Sequence, residues 1–182
     1  MRNLCMLFLG LMLYLLAGCS SVTTNYDYDP GVDFSKFKTF AIDNPKIPGD
    51  GLSRNPLLRK RVDEAIQNSL EQKGYKMVDK SEDADMVVVA HGRSQEKTQI
   101  TDWGTYGWYR PWWGPYGGRV DVSTYKEGTL VIDVVDMSDK ELAWRGLATG
   151  IVEEGQTDPQ KIQQKVNTIV AKIMKDFPPP GK

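Results

Sequence analysis

Apolar residues follow three different rhythms along this chain. From Leu4 to Leu16 they run almost unbroken, behind a short positive start at Arg2 and Asn3. A helix needs about 20 apolar residues to span a bilayer, so this shorter run reads as the core of a secretory signal and not as a transmembrane anchor. From residue 38 the rhythm becomes alternating. Lys38-Thr39-Phe40-Ala41-Ile42 and Tyr75 to Val78 read as strands, and the Val-rich run Ala84 to Ala90 reads as a central one. That run continues through His91 into the polar alternation of Arg93, Gln95, Lys97 and Gln99, which predicts a long strand leaving the core. Leu130, Ile132 and Val134 share one face of a further strand, and a turn at Met137-Ser138-Asp139-Lys140 leads into Leu142 to Ala148, a hairpin.

The third rhythm is helical. Leu58, Val62, Ala65, Ile66 and Leu70 make one apolar stripe, with Asn55 as cap, Pro56 at the first position and Gly74 at the left-handed exit. Ile162, Val166, Ile169, Val170, Ile173 and Phe177 make a second, opened by Asp158-Pro159 and closed by Pro178, Pro179 and Pro180. Residues 43–54 hold Pro45, Pro48, Gly49 and Gly51 and predict a loop. Strands with one apolar face and two amphipathic helices predict an α+β two-layer sandwich: a mainly antiparallel sheet with both helices on one face. The strand order is not fixed by these patterns. The organisation expected is a signal peptide over 1–18, a tether over 19–25, a single domain over 26–177 and a Pro-rich tail over 178–182.

The signal core ends in Leu16-Ala17-Gly18-Cys19. This resembles the bacterial lipobox, in which the cysteine is diacylated, the peptide is cut before it and the new amino group is acylated with a chain such as palmitate. Cys19 is therefore the expected lipidation site, and its acyl chains exceed the two signals needed for stable attachment to a membrane. Cys5 leaves with the signal, so the mature chain keeps no free thiol for a disulfide or for cysteine catalysis. By resemblance to the sorting rule of Gram-negative lipoproteins, Ser20, where a retained protein would carry Asp, directs the chain to the outer membrane, lipid-anchored and facing the periplasm.

Four features together resemble the domain-of-unknown-function family numbered 4136, a group of bacterial envelope lipoproteins. They are the lipobox followed by Tyr26-Asp27 and the Phe34 to Ile42 stretch, the helix end Leu70-Glu71-Gln72-Lys73-Gly74-Tyr75, the run Ala84-Asp85-Met86-Val87-Val88, and Leu130-Val131-Ile132-Asp133 leading to Leu142-Ala143-Trp144-Arg145-Gly146. The resemblance implies a compact α+β domain in the envelope with no established activity and no catalytic residues to carry over.

Charge and composition narrow the chemistry. Basic and acidic residues balance at 23 against 24, so there is no basic face for nucleic acid. One histidine and two cysteines leave little for a metal site or a nucleophilic triad, and neither a metal nor a cofactor is expected. His91 reads as a strand histidine at a sheet edge. Asp27, Asp29 and Asp33 lack the glycine and distal glutamate of a calcium loop. Asp133 and Asp136 sit three apart on a strand and so on opposite faces.

The segment 102–119 is the one stretch that calls for a function. It holds Trp103, Tyr106, Trp108, Tyr109, Trp112, Trp113 and Tyr116 among five glycines and two prolines, so it is neither a helix nor a regular strand. Three readings stand. The rings cover an open sheet face; they form a recognition surface for an envelope protein or for a glycan of peptidoglycan or lipopolysaccharide; or they sit in the headgroup zone of the membrane. The expected function is a non-enzymatic envelope binding or assembly module working through this segment. A glycan-binding module is the alternative, with a hydrolase behind it.

Overall fold

A computed structural model describes residues 22–102, 120–151 and 155–181, with side chains for all of these but 98–102 and 120–125. Six strands form one sheet: β1 (Thr23–Tyr28), β2 (Thr39–Asp43), β3 (Lys76–Met77), β4 (Met86–Asp102), β5 (Val120–Asp136) and β6 (Leu142–Ile151). Their order across the sheet is β1-β6-β5-β4-β2-β3. β1 with β6, β6 with β5 and β5 with β4 are antiparallel, whereas β2 runs parallel to both β3 and β4. Parallel neighbours need a crossover, and the chain supplies it as α1 (Pro56–Gln72) between β2 and β3.

The second helix, α2 (Pro159–Met174), follows β6. Each helix starts as its sequence dictates: the Asn55 side chain accepts the Leu58 N–H at 3.1 Å, and Asp158 accepts the Gln160 N–H at 2.9 Å, each with proline next in line. Both lie on the same face of the sheet. Val62, Ile66 and Leu70 of α1 and Val166, Val170 and Ile173 of α2 join Phe40, Met86, Val88, Ile132, Val134 and Trp144 in one core. The two-layer sandwich expected from the patterns is the fold observed.

Trp144 and Gly146 show how tightly that core is fitted. Both occupy the core face of β6, and the indole lies along the strand over Gly146, where a Cβ would run into the ring and into Ile173. Phe177 packs edge-on against Trp144, with ring centroids 5.3 Å apart.

Four details differ from the sequence reading. β1 takes in Thr23, Thr24 and Asn25, expected in the tether, because their backbones pair with Thr149, Ala148 and Leu147 while their side chains stay exposed. Pro179, expected in the tail, is buried. β5 starts ten residues before Leu130, its polar first half pairing along β4. His91 stands on an interior strand, just past the point where β2 stops pairing at Val89.

Candidate functional site

The residues singled out for function fall mostly outside the described residues: Cys19, Ser20 and the aromatic set Trp103, Tyr106, Trp108, Tyr109, Trp112, Trp113 and Tyr116. The strands that carry the aromatic segment are described. β5 pairs with β6 only from Glu127, opposite Ile151, onward. Its pairing with β4 goes further, through Glu96↔Lys126 to Asp102↔Val120, so a two-stranded arm leaves the sheet and ends where segment 103–119 begins. Six steps at about 3.4 Å make the arm roughly 20 Å long. At its root Lys97 and Glu127 form an ion pair of 2.6 Å.

Register fixes where the arm stands relative to the N-terminus. Thr23 is level with Thr149, Thr149 with Thr129, and Thr129 with Arg93. The chain therefore enters β1 at the level where β4 and β5 leave the sheet. The entry into β1 and the arm share one end of the domain.

An apolar cleft of about 450 Å³ opens at that same end, between the sheet and the first turns of both helices. Leu58 and Val62 of α1 form one wall, Ile162, Val166 and Ile169 of α2 the other. The floor explains the hollow. Along β4, β5 and β6 the core-facing positions pass from Val88, Ile132 and Trp144 to Gly92, Gly128 and Gly150 as the arm is approached, so there are no side chains to fill the space. Val22 also lines the cleft, while Asn55, Arg93, Ser94, Thr129, Gln156 and Lys165 bring the polar groups. A second hollow, of about 490 Å³, lies at the opposite end among Lys36, Glu82, Asp85, Asp136 and Lys140. Burial raises the Asp85 carboxyl there, but the Lys38 and Thr39 N–H groups and the Thr39 hydroxyl outweigh it and hold it below the usual range.

The two buried carboxylates outside these hollows are both engaged. Asp50, in the loop between β2 and α1, accepts hydrogen bonds from the N–H groups of Leu52, Ser53 and Gly92, from the Ser53 hydroxyl and from Arg59, the last at 2.6 Å. Burial pushes its carboxyl up, yet the bonds from Gly92, Ser53 and Leu52 more than offset this and bring it to about 2. Arg59 also donates to the Ala90 carbonyl, and the Gly51 N–H to that of Gly92. The loop thus occupies the edge of β4 that β2 leaves open. Asp133 lies on the outer sheet face, directly across from Arg145, whose guanidinium grips it in a fork at 2.6 and 2.7 Å. His91 stands nearby, its Nδ1 3.9 Å from Asp133 and without a hydrogen-bond partner. At that separation the two make no direct hydrogen bond.

Sequence reading thus brings His91 and Asp133 forward separately, and the structure sets them side by side with Arg145. It misses the Asp50 knot and the cleft. The signals were there: Asp50-Gly51-Leu52-Ser53 is an Asx-turn sequence before a helix cap, and Gly92, Gly128, Ala148 and Gly150 recur at core-facing positions. Among the described residues no three His, Cys, Asp or Glu side chains group as metal ligands would.

Residues 24–179 match the model of a family described as a domain of unknown function, DUF4136. Two solved structures share the fold. A DUF4136 family protein from Bacteroides thetaiotaomicron is 18% identical, with a TM-score of 0.52 over 87% of this chain and 97% of its own. A PDZ domain protein from Parabacteroides distasonis is 15% identical, with a TM-score of 0.57 over 95% of this chain, which spans only 40% of that protein's length. No curated protein matches the sequence.

Proposed function

This chain belongs to the DUF4136 family, and we propose that it is a lipid-anchored, non-enzymatic binding module of the bacterial envelope that applies its aromatic segment 103–119 to the interfacial zone of the membrane holding it. One observation carries this reading: the chain enters β1 at the root of the β4–β5 arm. An anchor at Cys19 then lies on the arm's side of the domain. From Cys19 to Thr23 the chain reaches at most about 14 Å, less than the roughly 20 Å of the arm, so the arm lies along or into the anchoring surface. Trp and Tyr are the side chains that favour the headgroup zone. Binding in place of catalysis is supported by Asp50 and Asp133, both tied into structural pairs. The anchor itself rests on Cys19, and the outer-membrane address on Ser20.

The test uses protein expressed without residues 1–19 and phospholipid vesicles. Its Trp emission should shift to the blue on mixing, and Trp108→Ala, Trp112→Ala and Trp113→Ala together should abolish the shift with the melting temperature unchanged within a few degrees. A shift with peptidoglycan fragments and none with vesicles would transfer the site to a glycan. A collapsed thermal transition in the triple variant would show that the rings belong to the core.

A further inference from the structure

We infer that the apolar cleft at the arm end holds one acyl chain of the lipid on Cys19. The inference rests on the lipid-anchor reading above and adds an intramolecular site to it. Three properties of the cleft select this occupant. Its volume of about 450 Å³ falls in the range of sites that enclose small ligands, roughly 300–1,000 Å³. Its walls are aliphatic on both sides, with Leu58 facing from α1 and Ile162 and Ile169 from α2, and all three are only half-buried by the protein itself. Its floor of Gly92, Gly128 and Gly150 leaves a path along the sheet for a slender, unbranched chain. Such a site offers a hydrocarbon tail contact along its length and places few polar groups against it.

The source of the tail follows from where the N-terminus runs. Val22 is itself part of the cleft lining, and Cys19 is three residues before it, within at most about 10 Å along the chain. A chain attached there is within reach of the cleft, and attachment gives it a high effective concentration over any free lipid. Each methylene withdrawn from water favours the seated state by about fourfold. The cleft so occupied keeps one tail out of water whenever the lipidated protein is not in a bilayer.

The experiment uses the full chain in cells fed a palmitate analogue that carries a diazirine. After lipidation, a soluble extract and a membrane fraction are irradiated, and cross-linked peptides are mapped by mass spectrometry. The expected product joins the acylated Cys19 peptide to the peptides holding Leu58 or Ile162, and it is enriched in the soluble extract. Leu58→Glu, which sets a carboxylate among the methylenes at a half-buried position, should lower its yield by roughly tenfold. Acylated Cys19 without any cross-link to α1 or α2 overturns the inference and leaves the anchor standing. No acylated Cys19 at all overturns both. Equal labelling of the cleft by free analogue in Cys19→Ala protein overturns it in favour of a free lipid as occupant.

Discussion

Single residues hold this domain together in ways that pH and mutation expose separately. Asp50 is 4% exposed and accepts five hydrogen bonds, and its carboxyl sits at about 2 against the 3.8 of an unburdened one. A depressed carboxyl stabilises the fold at pH values above the unfolded value and ceases to do so as pH falls through the folded one. The difference amounts to about 2 kcal/mol. Asp50→Asn should therefore be less stable than the wild type at pH 7 by about that amount, and the gap should close between about pH 4 and pH 2; denaturant titrations across that range check it. A gap that stays constant would mean that the charge of Asp50 is not what matters. Gly146 makes the opposite kind of demand. Because a Cβ there strikes Trp144 and Ile173, Gly146→Ala should cost about 1–3 kcal/mol, which calorimetry would record as a loss of about 2–4 °C per kcal/mol. Neither residue is conspicuous in sequence. Asp50 looks like one more turn former in a Pro/Gly loop, and the need for Gly146 appears only once the Trp144 ring is seen to lie along its own strand.

At the scale of elements the sequence was most readable where one face is buried. The stripes of α1 and α2 and the alternation of Phe40, Val88, Ile132 and Val134 name their own core positions, because burial enforces the period. The arm was only half readable. Arg93 to Gln99 alternate clearly, but the returning strand over 120–129 is rich in Ser, Thr and charge and shows no sustained apolar alternation. The order of strands was not readable at all, since α1 carries the chain from β2 to β3 on one side of β2 and β4 then pairs on the other, and the sequence does not say which side each takes. None of the arm's described side chains, Glu96, Lys97 and Lys126, joins the core cluster, and the arm should be separable from the fold. Replacing residues 96–126 by Asn-Gly, which closes Gln95 onto Glu127 with a two-residue hairpin turn, should leave the melting temperature within a few degrees of the wild type. Far-UV circular dichroism and a thermal melt decide this, and a cooperative loss of structure would mean that the arm supports the sheet.

For the molecule as a whole, what matters is that three features meet at one end: the entry into β1, the root of the arm and the mouth of the cleft. None of the three is visible in the sequence as a neighbour of the others, since residues 22, 93, 128 and 162 come together only through register and helix packing. The anchor can be tested by fractionation: Cys19→Ala should release the protein from membranes after a salt wash, and Ser20→Asp should move it toward the inner membrane. The orientation is tested most directly by quenching. Four of the five Trp residues lie in segment 103–119, and the fifth, Trp144, is fully buried in the core as an internal reference. Lipidated full-length protein should be placed in vesicles whose phospholipids carry bromine just below the headgroups. Most of the Trp emission should then be quenched relative to plain vesicles, and the variant lacking 96–126 should keep an unquenched Trp144 signal. Emission from the wild-type protein that is the same in brominated and plain vesicles would contradict an arm that faces the membrane.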